Sequence, residues 1–196
     1  MIATTLNEIR SCGPCEDGWK TLLAHMGKTK ADAEPVSFLT ILESNGLDDA
    51  MWCFQARPDL HRLWRHFYID CAERVEYLMT DKRSTDALRV ARQFANDDAT
   101  DEQRAAARDA ARDAVWDATG GATGDAARAA AWAATGDAAR AAARAAAWAA
   151  AWAAAGGAAG GAAGGATGDA EVAWQTNRLR ELLTAEKWSP VMKEVA

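Results

Sequence analysis

Cys12-Gly13-Pro14-Cys15 sets two thiols three residues apart, a spacing that allows three kinds of chemistry. A redox pair would use one thiolate as nucleophile and the other to resolve the mixed disulfide. Such sites sit beside a βαβ pattern, and none surrounds this one. Half of a zinc site would need two more ligands, yet Cys53, Cys71, His25, His61 and His66 offer no second close pair. The third reading is structural: Pro14 stands at the first helical position with Gly13 as cap. That reading suffices for the motif, and the pair is expected to have no catalytic or metal role.

A second group is ionic. Asp70, Glu73 and Arg74 interrupt an apolar helical stripe, and Arg89 and Arg92 follow on the next segment. They form either an interhelical ion-pair cluster or a polar cluster facing a ligand. A third group combines Arg128, Trp132, Arg140, Arg144 and Trp148, to which Trp52 adds another indole. Arginine pairs with phosphate and tryptophan stacks on bases, so these could hold a nucleotide. The competing reading makes the tryptophans filler between alanine faces and the arginines a solvated surface. Together these eleven residues are the candidate ligand-binding set. No cofactor is expected, and no GxGxxG, P-loop, HExxH or GxSxG motif occurs.

The elements that must position these groups are helical. Thr5 and Glu8 have capping-box spacing. Trp19, Leu22, Leu23 and Met26 share one face of a helix that Gly27 closes. Ser37 caps a segment stopped by Gly46, and a short helix carrying Met51 and Trp52 ends at Pro58. The longest helix is expected from about Asp59 to Met79, with Leu60, Leu63, Trp64, Phe67, Cys71, Val75 and Leu78 as its stripe. Ser84 is expected to cap the next helix, and Thr100 to Gln103 opens another capping box. Nothing alternates with period two, so the class is all-α, without a sheet.

From Arg104 to Gly168 every fourth residue is Arg, Trp or Gly, set mainly among Ala. One codon ending in two guanines gives all three as its first base varies, so the array reads as a drifted tandem repeat. Four residues turn a helix by about 400°, and the stripe drifts about 40° per repeat. One straight helix therefore cannot keep it on a single face. Breaks are expected at Thr119-Gly120-Gly121, Thr135-Gly136-Asp137 and Thr167-Gly168-Asp169, where Gly suits a helix end and Asp the next cap. Helices are expected near 101–118, 125–134, 137–155 and 169–185, in a multi-helix bundle or short solenoid. The Gly156–Gly168 stretch is either loop or close-packed helix, and propensity favours the loop. Residues 1–100 then form an N-terminal module, 101–186 the repeat helices packed on it as one continuous domain, and 187–196 a tail.

The 196 residues carry a net charge of −6, which argues against binding a nucleic-acid polymer. No secretory signal opens the sequence, and four cysteines need not be disulfides. The long uncharged run, Ala145–Gly168, is Ala and Gly with two Trp and one Thr, and lacks the Leu, Ile, Phe and Val of a membrane span.

At "DCAERVEYLM" (70–79), "STDALRVARQFANDDATDEQRAAARDAARDA" (84–114) and the Ala/Trp-rich run beyond, the chain resembles predicted all-helical immunity proteins of bacterial polymorphic-toxin systems. It is especially similar to their alanine/tryptophan-rich relatives in phages and prophages. Residues 6–53 resemble the N-terminal module of those relatives, so the resemblance extends to about Leu183. The Gly156–Gly168 run departs from their plain Ala/Trp/Arg array. The resemblance implies a cytoplasmic, non-enzymatic binding protein, within the host cytoplasm if phage-encoded. It would neutralise a protein toxin or defence effector by occlusion. The alternative is sequestration of a small anionic nucleotide signal in an Arg/Trp-lined pocket; a thiol redox enzyme using Cys12 and Cys15 is the third reading. The alanine faces also make a homodimer plausible.

Overall fold

The computed structural model describes residues 1–117, 125–128, 130–131 and 162–185, with backbone alone for 162–168. Two compact units divide the chain: Met1–Leu60 with the chain from Thr176 onward, and His61–Gln175.

In the first unit, β1 (Ala3–Thr5) leads into α1 (Leu6–Ser11). Thr5 Oγ1 accepts from the Glu8 amide, and the Glu8 carboxylate accepts from the Thr5 amide, completing the expected capping box. The next helix, α2 (Glu16–His25), does not start at Pro14. Gly13 instead ends α1 at φ 70, and Cys15 is the N-cap of α2, so the expectation of Gly13 as cap and Pro14 at the first helical position is wrong. The left-handed turn belongs to the helix before it, and Pro14 bridges the two. Gly27, at φ 65, closes α2 in a Schellman motif: Lys28 N–H reaches Leu23 O and Gly27 N–H reaches Ala24 O.

β2 (Pro35–Ser37) pairs antiparallel with β1, Thr4 opposite Val36. No sheet was expected, because three residues are too few for a period-two pattern to register. Ser37 then caps α3 (Phe38–Asn45), which ends at Gly46, and α4 (Leu47–Trp52) passes into a 3-10 turn at Cys53–Ala56. Leu6, Ile9, Phe38, Ile41, Leu42, Met51 and Phe54 are buried as this unit's core.

The second unit begins with α5 (His61–Glu73). The single helix expected to Met79 stops at Glu73, and a 3-10 turn follows at Glu76–Leu78. Val75 remains buried as expected, but Leu78 is only half-buried and Met79 is buried instead, while Tyr77 stays 73 % exposed. The α-helical stripe therefore does not run on through the 3-10 turn. Asp81, not Ser84, caps α6 (Lys82–Ala95): its carboxylate accepts from the Arg83 amide at 2.8 Å, and Ser84 lies buried one turn inside. α7 (Asp101–Asp117) opens with the expected box, Gln103 N–H to Thr100 Oγ1 and Thr100 N–H to Gln103 Oε1.

α6 packs most extensively on α7. Ala87, Ala91, Ala111 and Ala114 are all buried, and small side chains allow that close approach. Phe94 ties three helices together, with Arg65 of α5 and Arg104 of α7 each 4.5 Å from its ring centre.

Residues 125–128 and 130–131 are helical, and α8 runs from Ala162 to Thr184. Thr167-Gly168-Asp169 thus lies inside a helix, where a break was expected, and residues 162–168 are helix rather than loop. Each Gly costs about 1 kcal/mol in a helix, but elongating an existing helix needs no new nucleus. Leu179, Leu182 and Leu183 form a buried stripe that anchors the segment's far end. The breaks at 119–121 and 135–137, the helix at 137–155 and the tail at 187–196 lie outside the described residues. The all-α class holds, with the small ribbon as its only sheet among the described residues.

Candidate functional site

His66, Asp70 and Glu73 fall at i, i+4 and i+7 on α5, so one helical face presents all three. Arg92 of α6 meets that face. Its Nε and Nη2 grip Glu73 at 2.9 and 2.6 Å, and Nη2 also pairs with Asp70. Nη1 lies 3.0 Å from His66 Nδ1; since arginine only donates, Nδ1 accepts and the ring proton sits on Nε2. Every nitrogen of the guanidinium is thereby engaged. Burial works against the Arg92 charge, but the Glu73 and Asp70 carboxylates outweigh it, and its pKa stands raised. With one cation to two carboxylates, the cluster is net negative.

The other candidates are placed as follows. Arg89 does not join Arg92; it pairs with Asp86 on its own helix at 2.9 Å. Arg128 pairs with Asp125, whose side chain is buried. Trp52 is half-buried in the first unit, at the end of α4. Trp132, Arg140, Arg144 and Trp148 lie outside the described residues.

Arg74 follows a different path from its neighbours. Immediately after α5, its Nε donates to Glu171 Oε2 on α8 at 3.1 Å, and its guanidinium stacks 4.7 Å from the Trp174 ring centre. The Glu171 side chain is only 4 % exposed, whereas that of Arg74 is 46 % exposed. Burial raises the Glu171 carboxyl above its ordinary pKa, against the opposing pull of Arg74 and Gln175. Gln175 Nε2 approaches the other carboxylate oxygen at 3.4 Å.

No family model, no curated protein and no solved structure matches this chain.

The thiols differ in burial. Cys12 is half-buried at the end of α1, Cys15 is exposed, and Cys53 and Cys71 are buried; all four are free. Burial chiefly pushes the Cys53 thiol up to about 12. Among the described residues, no group of three or more His, Cys, Asp and Glu side chains could hold a metal ion. Likewise, no described helix is long and apolar enough to cross a membrane.

Glu171, Trp174 and His66 were missed as partners of the candidate set. His66 carried a legible signal, its i+4 and i+7 spacing to Asp70 and Glu73. Trp174 carried another: it falls off the every-fourth-residue register, so repeat drift does not account for it. Nothing local points Glu171 at Arg74, which is 97 residues away.

Proposed function

We propose that this chain is a cytoplasmic, non-enzymatic binding protein that neutralises a protein toxin or defence effector by occluding it. The observation that supports this most is the state of Arg92. A pocket for a nucleotide signal needs several cations left free for phosphate. Arg92 instead carries two carboxylates, with a third nitrogen on His66. Capture of a protein surface needs only a few anchors, typically Trp, Tyr and Arg. The second unit offers Trp116 at 87 % exposure at the end of α7, and also the exposed Tyr77. Either side chain could serve as such an anchor.

The test combines two measurements on the full chain. Affinity capture from cells carrying its gene, followed by reconstitution with the purified partner, should give one stoichiometric protein complex. Thermal shift against cyclic dinucleotides and ADP-ribose should leave Tm unmoved. Stabilisation by several degrees with one nucleotide, and no reconstituted complex, would replace occlusion with sequestration.

A further inference from the structure

Among the described residues, four arginines of the second unit are held in carboxylate pairs between elements; Arg62, the most exposed of them, pairs with Asp97 and also donates from Nε to Ala95 O. Arg92 serves two carboxylates, Asp70 and Glu73. Arg83 also serves two, Asp81 and Asp117, joining the start of α6 to the end of α7. Arg74 serves one, Glu171, and only through Nε. Among the described residues its Nη1 and Nη2 have no hydrogen-bond partner, although the side chain is held on two sides. A buried carboxylate fixes the Nε edge, and the Trp174 ring lies against the guanidinium. The outer edge, with its parallel pair of N–H donors, is therefore oriented in advance and half open to solvent.

We infer that Arg74 is a recognition site for a single carboxylate, an Asp or Glu side chain of the protein partner, bound two-point by Nη1 and Nη2. This inference rests on the occlusion reading for the identity of the partner, but not for the chemistry of the site. Two oxygens of a carboxylate match the guanidinium edge bidentately. Charge favours a carboxylate over a phosphate dianion: Glu171 already offsets Arg74, so a ligand with one negative charge is repelled less by Glu171 than a ligand with two. Arg92 and Arg83 show the same chain placing two carboxylates on one guanidinium. Glu171 and Trp174 are positioning residues, because they spare Arg74 the entropy of being ordered when the partner arrives.

The experiment titrates the full, 15N-labelled chain with acetate, and separately with phosphate and chloride, at constant ionic strength. The readout is the Arg74 Nε–Hε resonance, assigned by its loss in Arg74→Lys. Acetate should shift it saturably and chloride should not. Trp174→Leu should weaken apparent acetate affinity about three- to tenfold with unchanged circular dichroism, and Trp174→Phe should recover most of it. No saturable acetate shift, or an unchanged affinity in Trp174→Leu, overturns the site. Phosphate binding more than tenfold tighter than acetate overturns its assignment to a carboxylate. Because no partner enters the titration, its failure leaves occlusion standing with another anchor. Conversely, failure to reconstitute a protein complex leaves the acetate result untouched.

Discussion

Arg92 of α6 pairs with Asp70 of α5, a side chain only 10 % exposed, and the same guanidinium reaches Glu73 and His66. The relationship fixes how the two helices sit within their unit. All three guanidinium nitrogens have partners on α5, an arrangement suited to holding the two helices together.

Replacing Arg92 by Met should therefore destabilise the second unit. The main loss comes from leaving Asp70 charged and nearly buried, while the better-exposed Glu73 arm contributes less. We expect about 2 kcal/mol, read from urea unfolding. Adding Asp70→Asn should recover more than half of that loss. If the double variant is no more stable than Arg92→Met alone, the uncompensated charge is not the cause.

Glu171 gives a pH signature with a definite sign. Burial lifts its carboxyl above the ordinary 4.5, so the folded chain keeps that proton over an interval where the unfolded chain has released it. Its contribution to stability is present below the ordinary value and is lost as pH rises through the folded one. Glu171→Gln should remove this loss. The stability of the variant relative to wild type, followed by urea unfolding, should therefore rise between pH 4 and 7. A flat or falling difference contradicts the assignment.

Thiol reactivity should follow burial rather than the CxxC spacing. With Cys53 pushed up to about 12, only about one molecule in ten thousand carries its thiolate at pH 8. Iodoacetamide on the native chain should modify exposed Cys15 first and half-buried Cys12 more slowly. Cys53 and Cys71 should react only after denaturation, as peptide mass spectrometry would show. Native-state labelling of Cys53 at the rate of Cys15 would refute this ordering.

Asp97 sits at φ 66 and closes α6 in a Schellman motif, with Asp98 N–H on Gln93 O and Asp97 N–H on Phe94 O. A left-handed conformation costs an L-residue about 1–2 kcal/mol, partly offset by the greater unfolded-state entropy of Gly. The Arg62–Asp97 pair lost on substitution is largely exposed and contributes little. Asp97→Gly should therefore stabilise the chain by up to about 1 kcal/mol, seen as a higher Tm. A lower Tm would show that the Arg62 pair outweighs the backbone term.

The parts legible in the sequence are those whose hydrogen bonds close within a few residues. Thr5 with Glu8, Thr100 with Gln103 and Ser37 with Thr40 satisfy helix ends locally, so residue type and spacing are enough to find them. Where two local solutions compete, the sequence gives no ruling. Asp81 and Ser84 can both cap; burial of Ser84 settles it for Asp81. Gly13 can end one helix or begin the next, and its positive φ assigns it to α1. Gly168 can stop a helix or lie within one, and the helix runs through it.

The ionic candidates divide along the same line. The sequence by itself determined that Asp70 and Glu73 share a face of a helix, since 3.6-residue periodicity requires it. Only the tertiary structure decided that Arg92 would occupy that face, that Arg89 would turn to its own helix, and that Arg74 would reach Glu171. Those outcomes depend on which helices pack together and how far each side chain stays in water. A charge far along the chain becomes a neighbour only once the apolar faces have chosen their partners.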